Sequence, residues 1–136
     1  MSENDGNPRV PTAGAPAPLD FAALRARCLG DAAFANTLVG QFEQTLPETL
    51  RALVESVETG NWDQARQLAH RLKGAAATLG ATEITRSAIR LEQLSKAQHA
   101  AGARTELGRL QAEVDRLMRF VSQQRRAEAS TDPKHP

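Results

Sequence analysis

Apolar residues recur at helical spacing through most of this chain, and nowhere do they alternate with polar residues over the length of a strand. The clearest run is WDQARQLAHRLKGAAATLG. There Trp62, Ala65, Ala69, Leu72, Ala76 and Leu79 step by three and four and define one buried seam. Asn61 with Gln64 has the pattern of a capping box at its start, and Gly80 closes it. Upstream, Asp20 caps a short helix, FAALRARC, that stops at Leu29-Gly30, and Asp31 opens AAFANTLVGQFEQTLPETLRALVESVE. In that longer segment Phe34, Leu38, Phe42, Leu46, Leu50, Leu53 and Val57 keep the spacing. Pro47 predicts a kink or a break within it, and Gly60 ends it. Downstream, Thr82 is the expected cap of EITRSAIRLEQLSKAQH, whose seam is Ile84, Ala88, Leu91 and Leu94. Gly102 marks the next turn. The last helix runs roughly from Ala103 to Arg126 on Leu107, Leu110, Val114, Leu117 and Val121.

Short connections between long periodic segments favour antiparallel neighbours. The expected fold is therefore all-α: an antiparallel up-down four-helix bundle with a short additional N-terminal helix, spanning residues 19–126. Residues 1–18 hold four prolines and almost nothing to bury, so they read as a disordered arm or linker. Residues 127–136 have the same character and read as a disordered tail. Composition agrees with the helices, since Ala, Leu, Arg, Glu and Gln dominate while Val and Ile are sparse. With 17 basic and 16 acidic residues intermingled, the chain has no electrostatic footprint for nucleic acid or an anionic membrane. The single cysteine, Cys28, points to a reducing compartment. The N-terminus lacks a signal-peptide pattern, and no segment has the apolar length to span a bilayer. A cytoplasmic monomer is the expectation. The opening Met favours a free-standing protein, whereas the proline-rich arm favours a linker.

Candidate chemistry concentrates in H-R-L-K-G, in the middle of the third long segment. Arg66, His70, Lys73, Gly74 and Ala77 share one stripe beside the seam by the i, i+3, i+4 rule. Imidazole is a good nucleophile at neutral pH and can hold a covalent intermediate. A phosphoryl group carried on it is anionic, and Lys73, one turn away, can stabilise that charge. Gly74 costs about 1 kcal/mol relative to Ala inside a helix, and what it offers in return is clearance for whatever approaches the ring. Taken singly, such a histidine is ordinarily structural, such a lysine solvated, and such a glycine a packing contact; their coincidence on one face is what carries weight. Metal chemistry is disfavoured, because there is no H-E-x-x-H or C-x-x-C and neither His99 nor His135 joins His70. No glycine-rich loop for ATP is present either.

The segment His70-Arg-Leu-Lys-Gly-Ala-Ala-Ala-Thr-Leu-Gly-Ala81 resembles the signature of the histidine-containing phosphotransfer (HPt) domain family, H-x-L-K-G followed by small residues, an apolar residue and Gly. The upstream F-x-x-x-L-P-E-x-L-R-x-L, the N-W-D-Q-A start and the later Leu91-Glu92 extend the likeness over roughly residues 19 to 122. Departures, at Ala77, Thr78 and the Ala-rich surface, remove no key group. The resemblance implies that His70 is the phosphoacceptor, that Lys73 supports the phosphohistidine and that Gly74 opens the surface to a partner. It implies response-regulator receiver domains and a hybrid sensor histidine kinase as partners. The receiver would supply both the aspartate and the Mg²⁺, so the chain itself needs no cofactor and is not an enzyme in its own right. The alternative is a helical adaptor that uses the same fold only for docking.

One further residue follows from spacing. If the third and fourth segments form a hairpin turning near Ala81, His70 and Glu92 lie at the same level and beside the same interface. A carboxylate there can accept from Nδ1–H and orient the ring. Family members similarly carry Glu or Gln at this distance. The competing reading is a surface Glu92 paired with Lys96 at i+4.

Overall fold

The computed structural model describes residues 17–130, which form five helices in the order α1 (Phe21–Arg27), α2 (Ala32–Glu58), α3 (Trp62–Leu79), α4 (Thr82–Lys96) and α5 (Ala100–Ser130). No strand occurs among the described residues. Helix α2 packs on α3 and α5, and α4 packs on the same two, so the four long helices enclose one leucine- and alanine-rich core. Glu43 and Glu58 on α2 pair with Arg125 and Arg104 on α5, at 2.6 and 3.5 Å. Helix α1 lies against one end. Its Phe21 stacks on Phe120 with ring centroids 5.9 Å apart, and Arg27 donates at 2.7 Å to the Thr78 carbonyl at the end of α3.

The helix starts follow from short polar caps. Asp20, Asp31 and Asn61 each accept a hydrogen bond from the backbone N–H three residues on, satisfying a donor the helix leaves open. The Asn61 side chain also donates to Gln64 Oε1 at 2.9 Å, so the box closes between side chains. Thr82 is not a cap. The N-cap position is Ala81, which has no side-chain bond to offer, and its tight turn is made instead by Gly80 in the left-handed conformation (φ 76°).

Four helices end in the same way, with a left-handed residue and a backbone bond closing back over the last turn. At Gly60 and Gly80 the residue is a glycine, whereas Leu29 (φ 58°) and Gln98 (φ 54°) serve after α1 and α4. Because Gln98 makes the turn after α4, Gly102 does not, and α5 begins at Ala100 rather than Ala103. Gly102 is glycine for another reason. A Cβ there would lie 2.7 Å from Leu94 Cδ2 and 2.8 Å from His99 Nδ1, and that same Nδ1 accepts from Gly102 N–H at 2.9 Å.

Three more expectations need adjusting. Helix α2 runs through Pro47 without a break, so the lost hydrogen bond is absorbed within a helix held by core contacts along its length. At its start, Ala35 and Val39 are buried, whereas Phe34 is 52% exposed and Leu38 only half-buried. Both branches lead back from Phe42 by allowed helical steps, and the smaller side chains face inward where α1 packs on α2. Finally, α5 continues to Ser130, so residues 127–130 are helical rather than tail. Of the N-terminal arm, residues 1–16 lie outside the described residues, as do 131–136 of the tail, while Pro18 is buried.

One buried polar group went unread in the sequence. Glu106, 3% exposed at its side chain, accepts from Ser87 Oγ (2.7 Å), Arg90 Nε (3.0 Å) and Arg109 Nη1 (3.3 Å), tying α4 to α5. Burial works to raise its carboxyl pKa. The hydrogen bonds from Arg90 and Ser87 outweigh that and hold it below the usual range. Glu106→Ala is expected to lower stability by about 2 kcal/mol. The loss stays below that of a fully buried ion pair because both arginines can turn to water. A shift of the urea midpoint at constant slope would report it; an unmoved midpoint would show that Glu106 is dispensable.

Candidate functional site

Helix α3 is amphipathic, and its buried seam fixes the rotation of everything beside it. Ala65, Ala69, Leu72, Ala76 and Leu79 are buried as expected, with Trp62 packed at the edge. That rotation leaves the His70 side chain 61% exposed next to α4. Across the α3–α4 interface, Glu92 directs both carboxylate oxygens at α3. Oε2 lies 3.0 Å from His70 Nδ1, and Oε1 accepts from Lys73 Nζ at 2.9 Å. The Glu92 side chain is 11% exposed. Glu92 therefore faces α3 and is not a surface partner of Lys96.

Electrostatics settles the proton on the ring. The hydrogen bond from Lys73 is the largest influence on the Glu92 carboxyl; burial opposes it and the His70 bond adds to it, leaving the pKa below the usual carboxylate range. At neutral pH the group is thus an ionised acceptor with no proton to donate. His70 Nδ1 must then be the donor. In the neutral imidazole Nε2 carries the lone pair, on the side of the ring away from Glu92. The arrangement is an exposed imidazole held at Nδ1 by a carboxylate, beside a cation, and such a ring can act as a nucleophile through Nε2.

Lys73 is less free than its sequence position suggests, because its ammonium is engaged by Glu92 and its side chain is 32% exposed. Arg66 is also engaged, bonded at 2.9 Å to Asp63. Gly74 and Ala77 are exposed on the same stripe of α3, and a Cβ built on Gly74 meets nothing within 4 Å. Gly74 is therefore not a packing glycine. Gly74→Ala is expected to be neutral or to stabilise by about 0.5–1 kcal/mol, as helix propensity dictates. Gly74→Gln should leave the Tm nearly unchanged while hindering any partner that approaches His70. A loss of several kcal/mol on Gly74→Ala would mean the glycine is a packing contact after all. Among the described residues no His, Cys, Asp or Glu cluster could hold a metal ion, and no helix is long and apolar enough to cross a membrane.

The model of the Hpt domain family matches residues 37–120, from α2 into α5 and including the whole of α3 and α4. The chain belongs to the Hpt domain family and is a histidine phosphotransfer protein of the phosphorelay type. Among solved structures, histidine-containing phosphotransfer protein B (HptB) from Pseudomonas aeruginosa PAO1 shares the fold, with a TM-score of 0.70 at 22% identity. The alignment covers 83% of this chain and 98% of that one. No curated protein matches the chain.

Proposed function

We propose that His70 accepts a phosphoryl group on Nε2 from a receiver-domain aspartate, or from a hybrid sensor kinase, and passes it to a response-regulator aspartate. The observation that carries this reading is the Glu92 carboxylate on Nδ1. In the forward step the Nε2 lone pair attacks phosphorus in line. The P–N bond forms as the P–O bond to the donor aspartate breaks, and that carboxylate departs with the electron pair. The ring gains positive charge as it bonds, and Glu92 offsets it through the Nδ1–H bond. Lys73, one turn from His70, presents its ammonium to the phosphoryl oxygens. The Mg²⁺ and the aspartate come from the receiver. The chain needs no cofactor and acts as a carrier with no nucleotide chemistry of its own.

The same reading assigns Arg66, Gly74 and Ala77 to partner docking. A shallow cleft lined by Leu38, Phe42, Thr45, Ala75 and Thr78 runs between α2 and α3 beside that stripe, which supports the assignment. We further read the helix ring as an antiparallel up-down four-helix bundle with α1 as its short leading helix. The cross-pairs of α2 with α5 support this, as does the meeting of His70 with Glu92 on either side of the Gly80 turn. The carrier is placed in the cytoplasm, as a monomer, with receiver domains and a hybrid kinase as partners.

The test is transfer from a labelled, phosphorylated receiver domain in the presence of Mg²⁺. Label should move to this chain in a form that is acid-labile and alkali-stable, as a phosphoramidate is. Failure to accept label from any phosphorylated receiver would leave the docking-adaptor reading in its place.

A further inference from the structure

His99 joins α4 to α5 through three separate hydrogen bonds. Its backbone N–H donates to the Leu94 carbonyl at 3.0 Å and closes the end of α4, while its own carbonyl accepts from Ala103 N–H at 2.9 Å, the first backbone bond of α5. Its ring supplies the third. Nδ1 accepts from Gly102 N–H at 2.9 Å, which makes His99 the side-chain cap of α5. Gly102 N–H lies in the first turn, where the helix has no carbonyl to offer it. The glycine lets the ring come this close, since a Cβ there would lie 2.8 Å from Nδ1. The caps at Asp20, Asp31 and Asn61 accept through oxygen instead. A carboxylate or amide oxygen accepts at any pH near neutrality. An imidazole nitrogen accepts only while the ring is neutral, and imidazole is the side chain that ordinarily changes charge between about pH 5 and 8.

His99 is exposed, so solvent protons reach it. Three carboxylates lie on the elements around the joint, and each is engaged by arginine. Glu58 on α2 pairs at 3.5 Å with Arg104, two residues past Gly102. Asp63 on α3, which shares a cleft with Gln98, pairs with Arg66. Glu106 on α5, which shares a cleft with Gly102, is held by Arg90 and Arg109. Lys96 on α4 adds a cation three residues before His99. None of the three carboxylates bonds to the His99 ring, whose partner is Gly102. Once protonated, Nδ1 is a donor facing a donor, and its cation sits at the positive end of the α5 dipole.

We propose that His99 is a pH-sensitive joint between α4 and α5. Protonation at Nδ1 breaks the bond from Gly102 N–H, turns that N–H over to water and releases the first turn of α5 from the end of α4. The capped fold holds the ring neutral, whereas the unfolded chain takes the proton freely. The stability the cap contributes is therefore full above the imidazole range and is lost as the pH falls through it. None of this depends on the phosphoryl chemistry proposed for His70.

Ring-nitrogen NMR on the full chain reads the cap directly. At pH 8, His99 should show the Nε2–H tautomer with an unprotonated Nδ1, opposite to the Nδ1–H tautomer that Glu92 sets at His70. On acidification the Gly102 amide should shift with the midpoint of the His99 ring and lose its protection against exchange. Urea midpoints then separate this cap from the other histidines. His99→Asn keeps an oxygen cap, as Asn61 does for α3, and should fold without that pH dependence. Between pH 8 and pH 5 the wild type should lose about fivefold in its folding equilibrium constant relative to this variant, the size of one helix cap. His99→Ala should show that loss already at pH 8. The proposal is overturned by an Nδ1–H tautomer of His99 at pH 8, or by a Gly102 amide that does not follow the His99 titration. A gap between wild type and His99→Asn that stays constant from pH 8 to pH 5 overturns it equally.

Discussion

His70→Gln abolishes phosphoryl transfer to the chain, with label at background and the helical circular-dichroism spectrum unchanged. The effect is complete because Gln has no ring nitrogen to form the P–N bond, and His99 offers no substitute. His99 Nδ1 is occupied as the acceptor for Gly102 N–H at the start of α5, and His135 lies outside the described residues. Folding is spared because the His70 side chain is mostly solvent-exposed and contributes no core contact. Label retained in this variant would place the acceptor elsewhere and remove the basis of the proposed function.

Glu92→Ala slows phosphorylation about 10- to 100-fold while leaving His70 modifiable, the loss expected when a hydrogen bond to a charged group is removed from the transition state. The same change frees Lys73, since one carboxylate serves both side chains. Glu92→Gln should be milder, because the amide oxygen can still accept from Nδ1–H but carries no charge against the ring. A pH signature accompanies this. The folded Glu92 carboxyl ionises at lower pH than the unfolded one, so in the acid range the unfolded chain binds more protons. Stability from Glu92 is therefore full above the ordinary glutamate range, near pH 4.3, and fades as pH falls through the lowered folded value. Glu106 contributes with the same sign. Urea midpoints of the wild type and Glu92→Gln should converge as the pH is lowered. A constant gap between them down to pH 3, together with unchanged transfer kinetics, would reduce Glu92 to a packing residue.

What the sequence revealed, and what it hid, divides along a physical line. The α3 seam was legible because each step is three or four residues and no competing apolar residue lies beside it until Leu68. His70, Lys73 and Gly74 were legible as a group because their rotation follows from that seam. Glu92 could be placed because a single tight turn at Gly80 sets the level of α3 against α4. By contrast, Glu106 meets Ser87 and Arg90 only through the α4–α5 register, which hangs on a left-handed Gln98 that no local pattern announces. Gly102 carries the usual mark of a turn, yet its purpose is room for Leu94 and His99. Phe34 is the bulkier of two allowed choices, and the structure buries Ala35 in its place. The bond from Lys73 to Glu92 was hidden because the carboxylate comes from another helix and cannot be seen in the lysine's own segment.

The stacking of Phe21 on Phe120, with Arg27 anchored at the end of α3, also fixes the pole of the bundle from which the described residues start. Both ends of the described chain lie toward the pole of the bundle where α1 sits. His70 lies ten residues before Gly80, about 15 Å along α3 from that pole. A tether of about five extended residues spans that length. A partner tethered at that pole could thus reach the His70 ring along the flank of the bundle, and the short path would raise its local concentration there well above that of the same partner free in solution.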